Sequence, residues 1–320
     1  MPVISFYKSR NGVVEQVEGL EKGCWVNVLE PTSEDRQWLL DTLGIVPEFI
    51  KDALDDEETS HVDVDEDTGQ TLVIVDCPFP EDENEAVDSS VKQYDTHPLA
   101  FIFLQEKDCL VTLSLRPNDI LDDFAEGKHR DVHTGRYTQF LLKVLLRIVQ
   151  RYVSCLRSIN RQIREYESTL RRTMQNSELM KMLGLEKSLV YFSTSLQGLE
   201  DTGARVRHGR AIPLYDDDRD LIDDVRIEIA QASEMCSIYT SILEGVMDTF
   251  SSVISNNLNH TMKTLTIITL ILSIPTIIFS FYGMNVEGLP LVQWAWVPVA
   301  VAAVLCAVAT LILHFGKFLK

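Results

Sequence analysis

Positive charge is scarce in this 320-residue chain. It has 29 Lys and Arg against 48 Asp and Glu, a formal net charge of −19. That balance argues against a nucleic-acid partner, because phosphates must be met by basic side chains. The six cysteines form no C-x-x-C pair. This argues against a disulfide framework or a thiolate zinc site and fits a reducing compartment. No Gly-rich phosphate loop, G-x-S-x-G elbow or H-E-x-x-H motif occurs, so neither an enzyme nor an organic cofactor is expected. The first residues lack the apolar core of a signal peptide, so none is expected there. With 45% hydrophobic and 24% charged residues, the composition excludes a disordered chain.

Charge is missing altogether from two long stretches near the C-terminus. Between Thr264 and Val286 the sole ionisable side chain is Tyr282, and Gly288 to Gly316 contains no Asp, Glu, Lys or Arg. Each is about the 20 residues that a helix needs to cross a bilayer, so a transmembrane hairpin is expected. Lys263 precedes the first span, Lys317 and Lys320 follow the second, and the loop between carries no Lys or Arg. The positive-inside rule then puts both termini in the cytoplasm of a multi-pass cell-membrane protein. Trp294 and Trp296 stand where interfacial aromatics are expected.

Along the first span, Thr269, Ser273, Thr276 and Ser280 recur in steps of three and four, one stripe of a helix. Upstream the stripe continues through Leu265, Met262, Asn259, Ser255, Ser252 and Asp248. Two readings stand. Small residues permit close helix packing, with Ser and Thr bonded back to their own backbone. Alternatively the stripe lines a water-filled pore, with Asp248 and Asn259 holding a hydrated cation. A single hairpin cannot enclose a channel, so the second reading requires several copies around an axis.

The rest divides by pattern. Residues 1–130 read as mixed α/β, with strands at Val3–Tyr7, Trp25–Leu29, His61–Val64, Thr71–Asp76, Leu99–Leu104 and Cys109–Leu115. Helices are expected at Asp35–Leu43, after the Thr32-Ser33-Glu34-Asp35 start signal, and at Val46–Leu54. Residues 131–212 read as long antiparallel helices, with Leu141, Val144, Leu145, Ile148, Tyr152 and Leu156 on the apolar face. A stalk helix over 213–261 would run into a first span at 262–282. A loop at 283–293, a second span at 294–316 and a tail at 317–320 complete the chain. Unbroken, the stalk and first span make a helix on the order of 100 Å. His129 and His133, four apart, could share a helix face with Asp131 as a metal site, though a solvated linker is favoured. Acidic residues cluster at 52–67, at 81–85 and at Asp216, Asp217, Asp218, Asp220, Asp223 and Asp224. A helix start explains Asp216 to Asp218 well. Asp217, Asp220 and Asp224 share one face, where a shared divalent ion would relieve their repulsion.

The sequence Tyr282-Gly283-Met284-Asn285 ends the first apolar stretch, after a helix closing on Asn256-Asn257-Leu258-Asn259-His260-Thr261-Met262-Lys263. In that setting the whole chain resembles the CorA family of magnesium channels. The resemblance implies a homopentamer in a lipid bilayer: an α+β cytoplasmic domain, long helices and a two-helix transmembrane hairpin. It also implies that Asn285 receives the hydrated ion while Gly283 and Met284 shape the turn. Asp248, Asn259, Met262 and Leu265 then line the pore, with the last two as a hydrophobic gate. Mg²⁺ is the implied cargo and regulator, with Co²⁺ and Ni²⁺ left open. Asp224, or Asp220 one turn earlier, with Asp223 beside them, is the implied regulatory site between protomers. Two departures stand out. Leu289-Pro290-Leu291-Val292 replaces the frequent Met-Pro-Glu-Leu, which leaves Glu287 as the one acidic ring at the mouth. The Lys-rich tail is reduced to Lys317 and Lys320. The rivals are a zinc transporter of the same superfamily and, from another class, a membrane-anchored signalling domain.

Overall fold

The structure is a computed structural model and describes residues 3–81, 91–173, 176–284, 294 and 296–315. The chain forms two compact units, Met1–Met247 and Asp248–Lys320.

The first unit is built on a seven-stranded sheet of order β2-β1-β3-β7-β6-β5-β4. Its strands are β1 (Ile4–Arg10), β2 (Val13–Val17), β3 (Cys24–Leu29), β4 (His61–Val64), β5 (Thr71–Pro80), β6 (Tyr94–Leu104) and β7 (Cys109–Ser114). Neighbours are antiparallel except β3 and β7, which run parallel with Cys24 opposite Cys109. The β1–β2 hairpin turns on Asn11-Gly12, both at positive φ (53° and 78°), with Arg10 opposite Val13. Asn-Gly suits such a two-residue turn because both positions need left-handed backbone. This strand was absent from the sequence expectation.

Helices cover both faces, which is why β5, β6 and β7 read as nearly unbroken apolar runs. On one face lie α1 (Ser33–Trp38), its continuation as a π-turn (Leu39–Leu43), and α2 (Pro47–Ala53). Thr32 caps α1: Asp35 N–H donates to its Oγ1 at 3.3 Å, and Thr32 N–H donates to Asp35 Oδ2 at 2.9 Å. Leu39, Leu43, Phe49 and Ile50 from this layer join Val26, Ile74, Ile102 and Val111 in one buried cluster.

The other face carries α4 (Tyr137–Thr173) and α5 (Asn176–Arg207). Leu141, Val144, Leu145, Ile148, Tyr152 and Leu156 are buried, the face that the 3-and-4 rhythm picks out. Trp25 crosses from the sheet to stack near Phe140 at 5.0 Å, while its indole N–H donates to Thr112 at 2.7 Å. A short α3 (Asp119–Ala125), capped by Asn118, packs against β2 and α4. Residues 128–136 are bends and turns, so His129 and His133 share no helix face. His129 lies against Phe124 at 4.3 Å, and His133 meets Asp131 at 3.4 Å.

Helix α6 runs from Asp216 to Tyr282, 67 residues with Pro275 inside. Its first part packs on α5 through Ile222, Val225, Ile229 and Cys236, whose thiol donates to the Leu189 carbonyl at 3.3 Å. The rest of α6, with α7 (Val297–Phe315), forms the second unit.

Candidate functional site

Between Asp216 and Tyr282 lies an 18-residue window of mean hydropathy 2.1, of which 6% is buried. Among the described residues α6 is the one helix long and apolar enough to span a membrane; Val297–Leu313 is a shorter apolar helix. Leu265, Ile268, Leu270, Leu272, Ile277 and Phe279 all lie exposed on the single chain. Such a surface in water opposes the hydrophobic effect and needs lipid or other copies to cover it.

The contact between α6 and α7 divides that surface. Ile278 is buried, and Ile267, Ile271 and Ile274 are half-buried, in steps of four, three and four. From α7 the facing row is Pro298, Ala302, Cys306, Ala309 and Leu313. The close-packing small residues of this hairpin are therefore Ala302, Cys306 and Ala309. The α6 stripe points the other way. At about 100° per residue, Thr269 and Ile271 lie roughly 160° apart around the helix. Asp248, Ser252, Ser255, Asn259, Met262, Leu265, Thr269, Ser273, Thr276 and Ser280 are all exposed. The stripe consequently takes no part in packing α6 against α7.

Part of the other reading also holds. Thr269 Oγ1 donates to the Leu265 carbonyl at 2.9 Å, Ser273 Oγ to Thr269 at 2.8 Å, and Thr276 Oγ1 to Leu272 at 3.0 Å. Each hydroxyl proton is committed to the helix, so the outward face of each oxygen offers lone pairs. A stripe of acceptors suits the shell of a hydrated cation, whose waters point their hydrogens outward.

At the end of α6, Gly283 N–H donates to the Phe279 carbonyl at 2.9 Å. A Cβ on Gly283 would sit 3.1 Å from that carbonyl oxygen, which favours glycine there. Met284 is exposed. Asn285 and Glu287 lie outside the described residues. Trp294 and Trp296 are exposed and edge-to-face at 6.2 Å.

Among the described residues the carboxylates at the acidic start of α6 separate into those with partners and those without. Asp218 is buried and accepts from Tyr215 N–H at 3.0 Å, as a helix start requires. Asp217 pairs with Arg136 at 3.6 Å and Asp223 with Arg207 Nε at 2.9 Å. Asp220 and Asp224 are exposed. Among the described residues no three carboxylates, thiols or imidazoles gather closely enough to hold a metal ion. The partners Arg136 and Arg207 were not foreseen from the sequence: Arg136 stands just before α4 and Arg207 at the end of α5.

A family model described as "CorA-like Mg2+ transporter protein" matches residues 21–317. The cobalt/magnesium transport protein CorA of Methanocaldococcus jannaschii is 27% identical over 285 residues, 88% of this chain and 86% of that protein. The complete structure of the CorA magnesium transporter from the same organism superposes with a TM-score of 0.79 at 22% identity, over 98% of each chain. The ZntB cytoplasmic domain from Vibrio parahaemolyticus superposes with a TM-score of 0.62 at 13% identity, covering 81% of this chain and all of that one. These two likenesses show the fold.

Proposed function

The chain belongs to the family of CorA-like Mg2+ transporter proteins, divalent cation transporters rather than enzymes, and we propose that it forms a homopentameric channel for hydrated Mg²⁺. The observation that carries the proposal is the orientation of α6. Its polar stripe is exposed and faces away from α7, so copies arranged with α7 outermost would bring their stripes to a common axis. Mg²⁺ surrenders water reluctantly, and lone pairs from Thr269, Ser273 and Thr276 would bond its shell without stripping it. Asn259 and Asp248 would extend the lining, and Met262 with Leu265 would close it by excluding water. The membrane potential would drive entry, at about 2.3 kcal/mol per charge per 100 mV.

In this reading both termini are cytoplasmic, and residues 283–293 face the outside of the cell membrane. Asn285 receives the hydrated ion, with Gly283 and Met284 setting the turn and Glu287 adding a ring of charge. Asp220 and Asp224, with Asp223, would bind divalent ions against a neighbouring protomer and hold the channel closed. Mg²⁺ uptake into proteoliposomes containing the purified chain tests the proposal, and absence of voltage-dependent uptake refutes it. Zinc transport is the second reading, and Met284 favours magnesium over it. Uptake measured with Zn²⁺, Co²⁺ and Ni²⁺ as competitors separates them.

A further inference from the structure

In a chain of net charge −19, four arginines and a histidine fall within residues 205–219: Arg205, Arg207, His208, Arg210 and Arg219. The fold gathers them where α5 ends and α6 begins. Gly209, at φ 67°, turns the chain out of α5, and Leu214 packs within 3.7 Å of where its Cβ would be.

Two adjoining cavities open here and share His208. One, of about 530 Å³, is lined by Arg207, Arg219, Leu214, Ile222 and Asp223. The other, of about 490 Å³, is lined by Arg205, Arg210, Val62, Val64 and Glu66. Each holds two arginines against one carboxylate; the second has an apolar wall of Val62 and Val64, and the first an apolar edge at Leu214. Cavities of a few hundred cubic ångströms with few convergent polar groups suit small ligands.

The helix dipole accounts for part of the cluster. Arg205 and Arg207 lie in the last turn of α5, where cations are favoured. Arg205 donates to the Val62 carbonyl at 3.1 Å and Arg207 pairs with Asp223 at 2.9 Å. Arg210 lies beyond the helix, and Arg219 lies in the first turn of α6, where a cation opposes the dipole. Among the described residues neither has an ion-pair partner, and both are exposed. Two unpaired guanidinium groups therefore flank a shared imidazole over apolar walls. Guanidinium forks recognise phosphate oxygens bidentately.

We propose that this pair of cavities binds a phosphate-bearing anion of nucleotide size, with Arg210 and Arg219 gripping the phosphates. The apolar wall of Val62 and Val64, with Leu214 in the other cavity, would take a ring. The site is independent of the transport reading and its failure would leave that reading intact.

The test is calorimetric titration of the full chain in detergent with tripolyphosphate and with ATP, in Mg²⁺-free buffer. Binding of both is expected, weakening with salt, and each of Arg210→Gln and Arg219→Gln should lower affinity roughly tenfold. ATP binding tighter than tripolyphosphate assigns a role to the apolar walls; equal binding assigns recognition to the phosphates alone. Circular dichroism of both variants guards against misfolding. Absence of binding by either probe, or unchanged affinity in a folded Arg210→Gln/Arg219→Gln double variant, overturns the proposal.

Discussion

Cys306 supplies a hydrogen bond that Pro275 cannot. Proline has no N–H, so within α6 the carbonyl of Ile271, four residues before Pro275, loses its usual donor. The Cys306 thiol, from α7, donates to that carbonyl at 3.7 Å. In an apolar surrounding a backbone group left bare costs several kcal/mol. The contact thus satisfies α6 on the face that α7 covers.

Cys306→Val should remove the donor and destabilise the hairpin by about 1–3 kcal/mol. Cys306→Ser keeps a donor of similar size and should lose less. Thermal unfolding of both variants in the same detergent is the measurement. Equal loss in both would show that packing volume rather than the hydrogen bond matters.

The stripe on the opposite side makes a separable prediction. Thr269→Val keeps the shape but replaces the outward oxygen with a methyl group. Mg²⁺ flux should fall severalfold with assembly unchanged. Leu265→Ser, by wetting the narrow part, should instead raise basal flux. Fluorescent Mg²⁺ indicators in proteoliposomes read both, and unchanged flux in the two variants would remove the stripe from the pathway.

At the mouth, Asn285→Ala should abolish Mg²⁺ uptake while the protein still inserts and assembles. Uptake and size-exclusion behaviour must be read on the same preparation. Normal uptake by a correctly assembled variant would assign ion capture elsewhere.

How far the sequence reached depended on whether the signal was local. The stripe from Asp248 to Ser280 is a spacing, so it could be read directly; which face α7 covers is a tertiary fact and could not. The apolar runs of β5, β6 and β7 were legible because both faces of those strands are buried. The hairpin at Asn11-Gly12 and the helix capped by Asn118 carried readable local signals that were missed because their runs are short. The spacing of His129 and His133 invited a helix, but the segment turns instead, with Asp131 at φ 59°. In the acidic start of α6 the Asp218 cap is local, whereas the ion pairs of Asp217 and Asp223 depend on Arg136, just before α4, and Arg207, at the end of α5.

His97 gives a pH prediction for the sheet domain. The residue is 3% exposed, and among the described residues neither ring nitrogen has a hydrogen-bond partner; the ring lies edge-on to Phe79 at 5.1 Å. Burial, and secondarily the charge of Arg116, brings its pKa down from 6.5 to about 4. Between those values the unfolded chain takes up the proton and the folded one does not. Stability therefore rises with pH through that window and is flat for this group above it, an effect of up to about 3 kcal/mol. His97→Leu should flatten the dependence of unfolding free energy between pH 4 and pH 6.5. An unaltered slope would mean that other groups set it.

The proposed regulation turns on which carboxylates at the start of α6 lack an ion-pair partner among the described residues. Asp218 is buried as a helix cap, Asp217 faces Arg136, and Asp223 is held by Arg207. Asp220 and Asp224 remain exposed, one turn apart on one face, where like charges repel. At −19 per chain, copies packed side by side would repel one another. Divalent ions that bind the closed arrangement more tightly shift the population toward it, and by no more than that difference in affinity. On the proposed reading, a fall in internal Mg²⁺ would empty the sites and repulsion would loosen the assembly. Asp220→Asn/Asp224→Asn should weaken inhibition by internal Mg²⁺ and reduce the protection that Mg²⁺ gives the soluble domain against protease. Asp223→Asn should have the smaller effect, because its carboxylate is already neutralised by Arg207. Wild-type inhibition and protection in the double variant would leave Asp220 and Asp224 as solvated residues of a helix start. A larger effect from Asp223→Asn would mean that Arg207 yields its place to the ion.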